Sequence, residues 1–222
     1  MNQKELDRAL AVLAFLAAAI VMAMIAGILM THIAQDFFQS ARSVEEFSGR
    51  MADNPSGAWG LRLNLGLDNV FIVVYGTFFV FLAVRFRAVM DPWVAGVALG
   101  AMLLTVLLDV VENQHILVML HSMEHTLSLT SEESRIQMIA SAVKFHSSYV
   151  GIFLFAFGYW KQGNLGRWIA RIFWLGYLPL GLLILAIPVE LTKPVALARV
   201  TFFVIAFLLS GVLFTRSAKD SR

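Results

Sequence analysis

The stretch Ala9–Thr31, ALAVLAFLAAAIVMAMIAGILMT, decides the fold because it carries no charged side chain over its whole length. A helix needs about 20 consecutive apolar residues to cross the hydrocarbon core of a bilayer, and this stretch is long enough. It is too long for the apolar region of a cleaved signal peptide, which spans about 7–15 residues. We therefore predict an uncleaved first transmembrane helix.

Five further apolar stretches follow, and the composition agrees with them. Hydrophobic residues make up 59% of the 222-residue chain and charged residues only 14%, against about 25% charged in soluble domains. The six predicted spans are residues 9–31, 63–84, 92–119, 136–160, 168–188 and 194–214. The sequence thus predicts an all-α integral membrane six-helix bundle, formed by a single domain over residues 1–222 in a lipid bilayer.

Prolines mark three points along these spans. Asp91-Pro92 is typical of an N-cap followed by proline at the first helical position, and Lys193-Pro194 suggests the same start for the sixth helix. Pro179 lies inside the fifth span, where its missing N–H predicts a kink.

The distribution of basic residues predicts that both termini are cytoplasmic, because cytoplasmic loops carry an excess of Lys and Arg. The predicted cytoplasmic ends hold Lys4, Arg8, Arg85, Arg87, Lys161, Arg167, Arg171, Arg216, Lys219 and Arg222. The predicted outer ends and loops hold only Arg42, Arg50, Arg62, Arg135, Lys193 and Arg199. We expect the plasma (inner) membrane of a bacterium as the location.

Residues 33–60 form the longest predicted extramembrane segment and show helical amphipathicity. Apolar residues recur at helical spacing at Phe37, Ala41, Val44, Phe47 and Met51. Polar residues occupy the opposite face at Gln39, Arg42, Glu46 and Arg50. This pattern predicts an interfacial helix lying on the outer membrane surface. It either covers the outer mouth of the bundle or docks a partner.

Ionisable side chains inside the second, third and fourth spans are the main functional signal. This predicted intramembrane cluster consists of Asp68, Asp109, Glu112, Asn113, Lys144 and His146. At 1.5 Å per residue, its ionisable members all lie about 8–15 Å inside the predicted outer helix ends. Because ionisable groups are costly in lipid, they should face the bundle interior and find partners there.

Helical spacing groups the polar residues of each helix. Asp109, Glu112 and Asn113 form one stripe on the third helix, whereas His146 lies on a different face of the fourth helix from Lys144. The secondary candidates are Asn64, Asn69, Tyr75, Ser147, Ser148 and Arg199. The sequence therefore predicts a buried ion-pair network around Lys144. A shared proton, a bound cation, His146 or Arg199 would balance its excess of carboxylates.

Histidines at the outer end of the third helix suggest a metal site. The candidate ligands are His115, His121 and His125, of which the last two have the i, i+4 spacing that binds zinc on a helix. A haem held by His115 and His146 is a further hypothesis. The sequence contains no cysteine, which excludes disulfides and thiolate metal sites.

Three classes of function remain open. The cluster favours an ion-coupled or small-solute transporter or channel. The absence of a catalytic motif and the short loops favour a structural or accessory subunit of a membrane complex, with the cluster as a structural network. The histidines favour a metal-dependent enzyme acting at the outer leaflet.

Two further features concern possible partners. Gly96-x-x-x-Gly100 permits close packing with a helix of the same chain or, alternatively, a homo-oligomer. The net charge of +2 and the lack of basic runs argue against nucleic-acid binding.

Overall fold

The computed structural model describes residues 1–32, 48–49, 57–124, 131–186 and 189–220. In these ranges the protein is helical and has no strand. Its α-helices are α1 Gln3–Thr31, α2 Gly57–Phe86, α3 Pro92–Glu124, α4 Ser131–Trp160, α5 Gly163–Arg171, α6 Leu178–Ala186 and α7 Val189–Asp220. A π-helical segment, Ile172–Tyr177, joins α5 to α6. The described part of the chain contains six spans long and apolar enough to cross a membrane, as predicted, and α5, the π-helical segment and α6 together contribute the fifth.

Several helices extend beyond the predicted apolar stretches because polar caps begin or lengthen them. At the start of α1, the backbone N–H of Glu5 donates to Asn2 Oδ1 and the backbone N–H of Asn2 donates to Glu5 Oε2, both at 2.9 Å. This reciprocal pair is a capping box. At the start of α3, the backbone N–H of Trp93 donates to Asp91 Oδ1 at 2.8 Å, which confirms the predicted N-cap.

The two other prolines lie inside helices, and the predicted kink at Pro179 stays a prediction. The sixth apolar span begins at Pro194 as predicted, but its helix does not, because α7 begins at Val189 and includes Pro194. Since Pro194 lies in the second turn, it removes only one backbone hydrogen bond. Pro179 lies just after the π-helical segment, with only Leu178 between them. A π-turn shifts the hydrogen-bond register, and the backbone N–H of Leu178 accordingly donates to Phe173 O. The helix thus accommodates the missing proline donor through its register.

Three predictions stay predictions after the fold is known. The residues assigned to the interfacial helix, from Phe37 to Met51, lie outside the described residues, apart from positions 48 and 49. The cytoplasmic placement of the termini and the single domain over residues 1–222 are likewise untested.

The chain divides into two compact units. The first, which we call the polar unit, comprises Ile20–Val73 and Leu104–His146. Its apolar core joins α2 and α3 through the buried side chains of Leu61, Leu65, Ile116, Met119 and Leu120. The α1 and α2 backbones approach closely, since a Cβ on Gly60 would lie 2.7 Å from Thr31 Cβ.

The second, which we call the aromatic unit, comprises Met1–Ala19, Val74–Leu103 and Ser147–Arg222. Stacked and edge-on rings fill its interior. Phe79 stacks on Phe155 with the ring centroids 5.4 Å apart, and Phe86 meets Tyr159 edge-on at 5.0 Å. Each ring pair of this kind contributes about 0.5–1.5 kcal/mol beyond its buried area. The core of this unit is therefore held by ring packing.

Close helix packing in the aromatic unit does not use the predicted glycine pair. Gly96 and Gly100 are exposed, and no described atom lies within 4 Å of a Cβ added at either position. Instead α3 approaches α4 at Gly151, where an added Cβ would lie 2.6 Å from Met102 Sδ. The expectation that Gly96 and Gly100 pack against another helix of the chain was wrong, because they face away from the packed side of α3.

Candidate functional site

A buried ion-pair triad lies between α3 and α4 in the polar unit. Lys144 Nζ is 2.9 Å from Asp109 Oδ1 and also contacts Glu112 Oε2 directly. The side chains of Lys144 and Glu112 are 5% and 0% exposed, and that of Asp109 is 14% exposed. The i, i+3 spacing of the two carboxylates places both on the face of α3 that meets Lys144. The buried salt bridge predicted from the sequence is therefore confirmed.

Uncharged side chains of α4 extend the triad into a longer chain of hydrogen bonds. Ser141 Oγ donates to Glu112 Oε1, and Gln137 Nε2 donates to Ser141 Oγ at 3.4 Å. Gln137 and Ser141 are as deeply buried as Lys144. We call the five connected residues, Gln137, Ser141, Glu112, Lys144 and Asp109, the polar chain. Sequence reasoning missed its first two members, although they lie seven and three residues before Lys144 and share its helix face.

A third carboxylate, on α2, is tied to the same turn of α3. Asn113 Nδ2 donates to Asp68 Oδ2 at 2.7 Å and to Asn69 Oδ1 at 3.2 Å. Asn113 is fully buried and follows Glu112 directly in the sequence, whereas Asp68 and Asn69 are half-buried. Thus α2, α3 and α4 all contribute to the polar interior of this unit.

The remaining polar-unit candidates lie elsewhere. His146 is exposed, and its Nδ1 lies 2.7 Å from the backbone oxygen of Ala142 in its own helix. Asn64 is buried beside α1, with its Oδ1 3.1 Å from the position of a Cβ on Gly27.

Four secondary candidates belong to the aromatic unit. Arg199 Nη1 donates to Tyr149 Oη at 3.1 Å, a tyrosine that sequence reasoning did not select. The Tyr75 ring packs edge-on against Phe79 at 6.2 Å. Ser148 is buried and Ser147 is half-buried.

The histidines give the metal hypothesis no geometric support. Within the described ranges, no group of three His, Asp or Glu side chains is placed to hold a metal ion. His115 is half-buried and His121 is exposed, while His125 lies outside the described residues. Near these histidines, Glu124 Oε2 accepts from Arg62 Nη2 at 2.5 Å in an exposed ion pair between α3 and α2.

The aromatic unit contains a second buried ionic network, which sequence reasoning missed. Asp7 is fully buried, and its carboxylate accepts from Arg85 Nε at 2.7 Å and from Ser217 Oγ at 2.6 Å. Arg85 Nη2 also donates to Gln162 Oε1 at 3.5 Å. This network ties α1, α2 and α7 together where the apolar stretches end, so it has the features of a structural clamp.

A small cavity also lies inside the aromatic unit. Its volume is about 10 Å³, room for roughly one water molecule. It is lined by Phe78, Phe79, Tyr159, Phe173, Phe203, Ala206, Phe207 and Ser210. Tyr159 Oη and Ser210 Oγ share a hydrogen bond of 2.8 Å at this site. A cavity of this size is a packing feature and not a binding site for a solute.

The polar chain combines groups that are suited to moving a proton or a cation. Its triad carries two carboxylates and one ammonium, so its formal charge is −1 when all three groups are ionised. The Lys144 ammonium has three N–H donors and can redistribute them between two acceptors. The Ser141 hydroxyl both donates and accepts, as a relay requires.

The amino-acid sequence of this protein matches no protein-family profile, no curated protein and no solved structure. Its six apolar helices are compatible with a multi-pass membrane protein.

Proposed function

We propose that this protein moves a cation, either a proton or an alkali ion, across a membrane and that the polar chain is its exchange site. The observation that carries the proposal is the bridging position of Lys144 between Asp109 and Glu112. One ammonium then serves two carboxylates in a setting where an unbalanced charge costs several kcal/mol. Uptake of a proton or cation by one carboxylate relieves that imbalance, and its release restores it.

Two further features support exchange over a sealed pair. Asp109 is the most exposed member of the triad, at 14%, so we expect an incoming ion to reach this carboxylate first. The hydrogen bonds from Glu112 through Ser141 to Gln137 lead about one helical turn toward the start of α4. With both termini in the cytoplasm, as the basic residues favour, the start of α4 faces the outside. The site is then reached from the outer side, in the plasma membrane of a bacterium.

A structural role is the second candidate, because Lys144 and Glu112 are almost completely shielded from solvent. Under that hypothesis the triad fixes α3 against α4 within an accessory subunit of a membrane complex. Buried pairs of this kind set the register of neighbouring helices without adding much net stability. The two candidates differ in whether the triad changes its protonation or ligands during function.

Ion flux into proteoliposomes distinguishes the two candidates. Purified protein is reconstituted into liposomes loaded with a pH-sensitive or sodium-sensitive dye, and a gradient of one cation at a time is imposed. We expect faster flux of one cation than in protein-free liposomes, and we expect Glu112→Gln to abolish it. Asp91→Asn is the matched control, because Asp91 is an exposed cap of the same helix. Protein that inserts correctly but moves neither cation would contradict the proposal.

A further inference from the structure

A cluster of tryptophan and arginine side chains surrounds the turn between α4 and α5 in the aromatic unit. The Arg171 guanidinium carbon lies 5.1 Å from the ring centroid of Trp168 and 5.7 Å from that of Trp160. The Arg167 guanidinium carbon lies 5.9 Å from the Trp160 ring. Two arginines and two indoles therefore form one surface, which we call the Trp–Arg patch. At these distances the indole faces attract the guanidinium groups.

The patch is exposed and its charge is not neutralised locally. Trp160 and Trp168 are 36% and 58% exposed, and both arginines are exposed. The sequence has no Asp or Glu between residues 134 and 189, whereas Lys161 adds a third positive charge beside the patch. Within the described ranges, neither arginine forms an ion pair with a carboxylate. An indole ring contacts the face of a guanidinium group, whereas the N–H donors point outward from its edge. Both arginines can therefore still donate hydrogen bonds to an external anion.

The backbone below the patch is held in one conformation. Gly163 has a φ of 73°, which favours glycine, and it starts α5 directly after the turn. Gly166 leaves no space for a side chain, since an added Cβ would lie 2.7 Å from Gln162 Cβ. On the indole side, Trp160 packs against Trp174 at 5.6 Å, and Trp174 Nε1 donates to Phe153 O at 3.2 Å. The patch is thus preorganised, which lowers the entropy lost on binding.

The position of the patch along the chain indicates its ligand. Two candidate spans, Arg135–Trp160 and Gly163–Ile184, meet at this turn, so the patch lies where helices leave the hydrocarbon. Tryptophan is enriched at that level of a bilayer, and basic residues there attract anionic headgroups. Paired guanidinium N–H groups match the geometry of phosphate oxygens.

We propose that the Trp–Arg patch binds the phosphate of an anionic phospholipid. The guanidinium groups of Arg167 and Arg171 donate to the phosphate oxygens, while the exposed indoles of Trp160 and Trp168 lie at the level of the glycerol backbone. The acyl chains lie along the apolar surface of the adjoining spans. The site is independent of the polar chain and of any transport activity.

Native mass spectrometry of the full-length protein in detergent tests the site with phosphatidylglycerol and phosphatidylcholine of identical acyl chains. We expect phosphatidylglycerol to bind more tightly. Because one basic residue near an anionic headgroup changes the affinity by about 5-fold, Arg167→Gln combined with Arg171→Gln should weaken it by about 25-fold. The matched control combines Arg87→Gln with Arg216→Gln. It removes two exposed arginines of the same unit that contact no aromatic ring in the described ranges.

Equal loss of affinity in the patch variant and in the control variant would overturn the proposal, as would equal binding of the two lipids. The headgroup alone, glycerophosphoglycerol, provides a third arm and should not compete with the lipid. If glycerophosphoglycerol displaced phosphatidylglycerol at a concentration similar to that of the lipid, the site would be assigned to a soluble phosphate ester, and the proposal would be overturned. The thermal unfolding of both double variants should stay close to that of the wild type, because all four arginines are exposed and cation–π contacts at exposed sites are weak.

Discussion

The polar unit and the aromatic unit use different interactions for the same task of holding apolar helices together. In the polar unit, carboxylates, amides and one ammonium link α2, α3 and α4 in the helix interiors. In the aromatic unit, rings such as Phe78 and Phe207, with centroids 5.3 Å apart, fill the interior. The ion pair between Asp7 and Arg85 lies near the span ends. Lipid supplies little hydrophobic force between helices, so packing and hydrogen bonds decide their association.

The contrast between the two interiors indicates where chemistry can occur in this protein. Ring packing is dense, and the cavity beside Tyr159 and Ser210 has a volume of only about 10 Å³. Hydrogen-bonded ionisable groups can exchange protons and partners without moving the helices apart. The polar unit is therefore the region in which we expect function, and the aromatic unit is the region in which we expect rigidity.

Removing the ammonium of the triad should have the largest effect on stability. Lys144→Met leaves the carboxylate of Glu112 buried without its cation, and breaking a buried pair from one side costs about 3–5 kcal/mol. The measurement is unfolding in mixed detergent micelles. Arg62→Gln is the control, because it breaks the exposed pair with Glu124 and should cost at most about 1 kcal/mol. Equal effects of the two substitutions would remove the distinction between a buried network and a surface pair.

Neutralising the buried carboxylate of the aromatic unit should have the next largest effect. Asp7→Asn retains the shape of the side chain but weakens its contacts with Arg85 and Ser217. Hydrogen bonds to charged groups contribute about 1.5–3 kcal/mol, and we expect a loss in this range from the same unfolding measurement. We expect ion flux to be unchanged in the folded variant. Loss of flux without loss of stability would show that the network of Asp7 participates in transport.

Adding a methyl group should destabilise the aromatic unit at a packed glycine but not at an exposed one. Gly158→Ala places a methyl group 2.6 Å from Met90 Sδ and against the Phe86 ring, and overpacking of this kind costs about 1–3 kcal/mol. Gly100→Ala meets no described atom within 4 Å, so it should be neutral or stabilise α3 by up to about 1 kcal/mol. Thermal unfolding measures both. Destabilisation by Gly100→Ala would indicate that its exposed face is covered by another molecule.

The smallest effect should follow from removing a hydroxyl from the aromatic core. Tyr159→Phe deletes the hydrogen bond to Ser210 but keeps the ring contacts, and a loss of about 0.5–1.5 kcal/mol is expected. Unfolding in detergent is again the measurement. A larger loss would mean that the hydroxyl, and not ring packing, organises the interior of this unit.

Most of the fold could be predicted because long apolar runs have few alternatives in a membrane. Each of the six spans was visible as a run of about 20 apolar residues, and Asp91 marked the start of α3 correctly. The π-helical segment could not be predicted. Pro179 shows that one backbone hydrogen bond is missing, but the sequence does not show whether the helix responds with a bend or with a change of hydrogen-bond register. Pro194 misled as a start signal, because five helical residues, Val189 to Lys193, precede it in α7.

The site could be predicted only as far as charge makes a residue conspicuous. Asp109, Glu112 and Lys144 stood out because charges are rare in spans, and helix geometry gave them a common depth. Gln137 and Ser141 are uncharged and therefore inconspicuous, although the i, i+4, i+7 spacing with Lys144 was available as a signal. Asp7 and Arg85 are 78 positions apart and lie where charges are ordinary, so the sequence held no sign of their contact.

Asp109→Asn tests the exchange site most directly, because it removes the excess carboxylate while Glu112 continues to neutralise Lys144. Unfolding in detergent and cation flux in proteoliposomes are measured on the same preparation. We predict stability within about 1 kcal/mol of the wild type, since one ion pair persists, together with complete loss of flux. Wild-type flux in a stably folded Asp109→Asn protein would contradict the assignment of the polar chain as the exchange site.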